Sequence, residues 1–78
     1  MQAIETKFLG PTDSNYNNRI KATAAAGSII IDWDDNHSIE DNHKYAAEML
    51  CNKFNWPWVE HLIGGQLKSG SYVWVYNK

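Results

Sequence analysis

The chain has 78 residues, 44% of them hydrophobic and 21% charged, so it supports one hydrophobic core and a single domain over residues 1–78, and disordered or fibrous classes are excluded. Its net charge of −2 is unevenly spread: residues 31–50 carry Asp32, Asp34, Asp35, Glu40, Asp41 and Glu48 against Lys44 alone, while the segments on either side are slightly positive. Duplex-DNA binding driven by phosphate neutralisation is thereby disfavoured, because each phosphate contact needs its own cation.

From the start, Met1 to Lys7 shows neither the basic region nor the apolar run of a signal peptide, and no window approaches about 18 apolar residues, so a cytoplasmic protein without membrane contact is expected. Cys51 is the single cysteine, which excludes an internal disulfide. Alternation in Ala3 to Phe8, with Ile4, Thr6 and Phe8 on one side and Glu5 and Lys7 on the other, predicts a first strand ended by Gly10-Pro11. Thr12 to Asn18, rich in Asp, Ser and Asn, reads as a loop. Arg19 to Ala24 alternates again, and Ala25-Ala26-Gly27 is short enough to turn the chain into a third strand over Ser28 to Trp33.

Ser38 reads as a helix N-cap, with Glu40 and Asp41 at the positive end of the helix dipole. Ile39, His43, Ala46, Ala47, Leu50 and Phe54 recur at helical spacing and predict one stripe packed on a sheet, with Glu40 and Lys44 paired on the far side and the end set before Pro57. His61 to Leu67 reads as a weak strand broken by Gly64-Gly65; Ser69-Gly70 is a turn, and Tyr72 to Tyr76 is the clearest strand. The expected fold is α+β, an antiparallel sheet of four to five strands with one helix on one face, in the order β-β-β-α-β-β.

Several groups are candidate sites. If Val73 and Val75 meet the helix, Tyr72, Trp74 and Tyr76 lie on the open sheet face beside Arg19 and Lys21, the combination of rings and cations that binds single-stranded nucleic acid. The alternatives are that the rings form the core, or that a second copy covers them through Ile30, Tyr72, Trp74 and Tyr76 in a homodimer. Asp32, Asp34 and Asn36 have the first spacings of a calcium loop, but His37 stands where glycine is needed and His43 where a closing glutamate is needed. A looser set of Asp34, His37 and His43 matches no tetrahedral pattern, and no bound metal or cofactor is expected. His43 on the apolar stripe reads as a core histidine rather than a general base, and Cys51 as a half-buried small hydrophobe. No nucleophile elbow, P-loop or dinucleotide fingerprint is present, so enzymatic activity is not expected, and the alternative of a small enzyme or small-ligand-binding protein requires a pocket that the sequence does not show. The carboxylates Asp32, Asp34, Asp35, Glu40 and Asp41 offer a patch for a basic protein surface, and Trp56 and Trp58, flanking Pro57, form either a partner anchor or a cap on the core.

Met1-Gln2, Ile4, Thr6-Lys7 and Gly10-Pro11-Thr12, then Arg19-Ile20-Lys21-Ala22, then Asn42-His43 and Ala46-Ala47 make the chain similar to a family of short proteins of bacteria, phages and plasmids. The resemblance spans roughly the first two thirds of the chain. What it implies is a mobile-element protein that acts stoichiometrically on a host machine, of the anti-CRISPR or anti-restriction type, in the host cytoplasm. No catalytic or ligand residues come with it.

Overall fold

A computed structural model describes residues 3–10, 17–57 and 62–76, with the Tyr76 side chain outside the description. Five strands, β1 (Ala3–Leu9), β2 (Arg19–Ala24), β3 (Gly27–Asp32), β4 (Leu62–Gln66) and β5 (Tyr72–Tyr76), form one antiparallel sheet, and a single helix, α1 (Ile39–Lys53), lies between β3 and β4 in sequence. The expected α+β order therefore holds. In space the strands run β3-β2-β1-β5-β4, so β1 is central, and α1 rests mainly across β1, β2 and β3.

Alternation decides which side chains α1 covers. Ile4 and Thr6 of β1, Ile20 and Ala22 of β2 and Tyr72 and Trp74 of β5 point to the helix and are buried, while the outward-facing Glu5, Lys7 and Thr23 are exposed. The helix contributes Ala46, Ala47, Leu50 and Cys51, each with no accessible surface. Cys51 is thus fully buried, not half-buried. The covered stripe is rotated from the expected one: Asn42 lies inside, whereas Ile39 is 60% exposed.

Both helix ends have local causes. The Ser38 side chain accepts a hydrogen bond from Asp41 N at 3.1 Å, as an N-cap should. The far end stops at Lys53, ahead of the restriction imposed by Pro57. Asn55 takes a left-handed φ of 56°, and its N–H and that of Trp56 donate back to the Asn52 and Cys51 carbonyls. That pair of bonds is a Schellman closure, with asparagine in the place glycine usually fills.

The β2–β3 hairpin closes through Ala25-Ala26, with Ala24 paired to Gly27. At the other edge, Gly64-Gly65 does not break β4, because Gly64 is the cross-strand partner of Trp74 and its missing side chain leaves room for the indole. A Cβ on Gly64 would stand 2.3 Å from Trp74 Cε3, whereas one on Gly65 would meet nothing within 4 Å. The glycine signals a close approach rather than an interruption. Gly64→Ala should cost about 1–3 kcal/mol through overpacking, and Gly65→Ala should stay within about 0.5 kcal/mol of the parent, both measured as shifts in urea midpoint.

Candidate functional site: an acidic concavity beside a buried polar cluster

The turn from β3 into α1 places the acidic block. Asn42, buried in the first turns of α1, accepts from Asp34 N through Oδ1 (2.9 Å), and its Nδ2 faces the carbonyls of Asp34 (2.8 Å), Ser38 (3.0 Å) and His37 (3.3 Å). One side chain thereby pairs the Asp34 N–H and the His37 carbonyl, and adds a second donor to the Asp34 and Ser38 carbonyls, which also accept from His37 N and Asn42 N. Asp34 completes the turn: its carboxylate accepts from Asn36 N at 2.9 Å and lies 3.4 Å from His37 Nε2. Asp34 is therefore partly structural. As a site, Asn42 carries no local sequence signal beyond being an amide beside the apolar stripe, four residues after the N-cap.

Held this way, the turn and one side of α1 enclose an open concavity of about 910 Å³. Five carboxylates line it, Asp32, Asp34, Asp35, Asp41 and Glu48, together with Trp33, Tyr45 and the single ammonium of Lys44. Among the described residues, none of these carboxylates has a lysine or arginine within ion-pair distance. The expected Glu40–Lys44 pair does not close, and Glu40 stays outside the concavity. Glu48 joins the patch without having been named for it; a helical offset of seven from Asp41 is the signal that finds it. Tyr45 is 55% exposed, while Trp33 is half-buried with its ring edge-on to Phe8, centroids 5.0 Å apart.

Behind Trp33 lies a buried polar cluster. Trp74 Nε1 donates to Thr6 Oγ1 at 3.0 Å, and the same hydroxyl shares a hydrogen bond of 2.7 Å with His43 Nδ1. The His43 ring lies against Tyr72 at 4.4 Å and Trp33 at 5.9 Å. Burial holds its pKa below the usual 6.5, opposed in part by the Thr6 backbone. Burial, and then the Glu48 charge, push the Cys51 thiol up, so it remains protonated and unreactive. His43 is a satisfied core histidine.

The other sequence candidates separate. Asp34, His37 and His43 do not converge, since His37 sits on the surface and His43 is turned into the core; among the described residues no three His, Cys, Asp or Glu side chains cluster closely enough to hold a metal. Tyr72 and Trp74 are 9% and 4% exposed beneath α1, whereas Arg19 and Lys21 alternate onto the opposite sheet face. The proposed platform of rings and cations is thus divided between two faces. The rings rather than Val73 and Val75 fill the core, because Tyr72 packs on the His43 ring of α1 and the Trp74 indole bonds Thr6 of β1. The same division separates Ile30, on the open face, from Tyr72 and Trp74, which removes the expected homodimer patch; Tyr76 lies outside the described side chains. Arg19 Nε is buried without a hydrogen-bond partner. Trp56 packs half-buried against the core, its ring 5.1 Å from Phe54, and Trp58 lies outside the described residues.

Two outcomes follow from this geometry. Because unfolding lets His43 bind a proton that the folded core resists, stability should fall as pH drops below about 6.5, by at most about 1.4 kcal/mol per unit, and this slope should vanish in His43→Gln; denaturant melts at a series of pH values measure it. Asn42→Ala should cost about 1–3 kcal/mol by stranding the Asp34 N–H, and should speed amide exchange at Asp34 and His37.

Comparison with protein-family models, with curated proteins and with solved structures finds no match to this chain.

Proposed function

We propose that this protein is a non-enzymatic binding protein whose acidic concavity occupies a basic surface of another protein. The observation that carries this reading is the set of five carboxylates around Trp33 and Tyr45, which outnumber the single Lys44 ammonium and, among the described residues, form no ion pair with a lysine or arginine. Like charges gathered on one surface repel, and a cationic partner relieves that repulsion while its guanidinium or ammonium groups pack on the adjacent rings. Association through such a patch is fast and sensitive to salt, because long-range attraction is screened beyond about 8 Å at physiological ionic strength.

The resemblance to mobile-element proteins supports a host defence protein as the target, with a groove that otherwise holds nucleic acid as the basic surface. A stoichiometric blocker needs a rigid, charged surface and no catalytic group. The chain also shows no helix, among the described residues, long and apolar enough to cross a membrane.

Titration with an arginine-rich peptide, followed by tryptophan fluorescence at low salt, tests the patch. The combined change Asp35→Asn, Asp41→Asn and Glu48→Gln, which spares the turn-forming Asp34, should weaken binding at least tenfold, and binding should decline with added salt. Undiminished binding by this variant would reject the concavity as the recognition surface. Capture from a host lysate with the parent and the variant in parallel then identifies the partner.

A further inference from the structure

β3 is an edge strand that, among the described residues, pairs with β2 on one side only, and its sequence is self-complementary. The hairpin closes on the pair Ala24 and Gly27, so in antiparallel alternation Ile29 and Ile31 bond to β2 while the N–H and C=O groups of Ser28, Ile30 and Asp32 point away from the sheet. The hydrogen bond from Lys53 Nζ to Ser28 O, 3.1 Å, occupies one of those outward groups and fits this phase. The strand carries no proline, lysine or inward-pointing charge of the kind that protects edges from pairing. Ile30 is 49% exposed, and Ile29 and Ile31 are only partly buried.

We propose that two copies of this chain pair β3 against β3, antiparallel, about a twofold axis through Ile30, joining their sheets into one. In that register Ile30 faces the partner's Ile30, Ile29 faces the partner's Ile31, and Ser28 faces the partner's Asp32. Every outward N–H and C=O of Ser28, Ile30 and Asp32 then gains a main-chain partner. Lys53, displaced from Ser28 O, stands at the strand end where the partner's Asp32 supplies an opposite charge. A twofold axis centred instead on Asp32 would oppose two carboxylates, and one centred on Ile29 would align fewer outward groups. The antiparallel arrangement sends the two acidic concavities to opposite ends of the shared strand pair, with Asp32 at the boundary of each.

Sedimentation across the micromolar to millimolar range tests the pairing, with circular dichroism confirming that each variant folds. Ile30→Pro removes only an outward N–H, so it should leave the fold intact and raise the dimer dissociation constant at least tenfold. Ser28→Asp should weaken the dimer by opposing the partner's Asp32, and Ser28→Lys should tighten it. Exchange of the Ile30 and Asp32 amides should slow as concentration rises. A chain that stays monomeric throughout, or a dimer indifferent to all three substitutions, would overturn the proposal.

Discussion

The Thr6 hydroxyl is the one polar group through which three separate elements meet. It sits with no accessible surface on the central strand β1, accepts the Trp74 indole N–H from β5 and bonds His43 of α1. In a low-dielectric core each of these groups would be costly without its partner, so the arrangement is all or none. Thr6 offers one donor and two acceptor sites, Trp74 only a donor, and His43 Nδ1 closes the remaining bond. That arithmetic fixes the helix rotation and the indole orientation together, and the remaining rings stack around the result. Tyr72 lies parallel to Trp74 within 14° and close to His43, whose far side meets Trp33. The ring series ends at the wall of the acidic concavity, so the surface that meets a partner is backed by the most tightly specified part of the interior.

Much of this fold was legible in the residues. Period-two alternation located β1, β2 and β5, β-branched content located β3, and Ser38 marked the start of α1, because these signals are local and their physical causes act within a few residues. What local pattern could not decide was the facing of β5. Tyr-Val-Trp-Val-Tyr alternates equally well with either set inward, and the choice is made by distant partners, His43 against Tyr72 and Thr6 against the Trp74 indole. Gly64 misled for the same reason: its glycine answers to an indole ten residues away, across the hairpin. The helix does end before Pro57, as expected, but at Lys53, where Asn55 in a left-handed conformation closes it.

The acidic segment was readable as charge but not as shape. Asp32, Asp34, Asp35 and Asp41 are near neighbours in sequence, yet their presentation depends on Asn42, which gathers the turn from inside, and on Glu48 a further two helical turns along. Charge runs commonly form solvated faces. Here the residues bend around a concavity with aromatic walls, and one of them, Asp34, is committed to holding the bend. Recognition and architecture are thereby shared out among carboxylates that composition alone treats as equivalent.

The central position of β1 also has a bearing on how the chain acquires its structure during synthesis. Ala3 lies beside Val75 and Ile4 beside Trp74, so the middle of the sheet is completed by almost the last residues described. A nascent chain emerging from the ribosome can form the β1–β2–β3 meander and lay α1 across it, but Thr6 and His43 await an indole that has not yet been translated. Until then the waiting intermediate exposes one flank of its central strand, the kind of transient edge on which chaperones act.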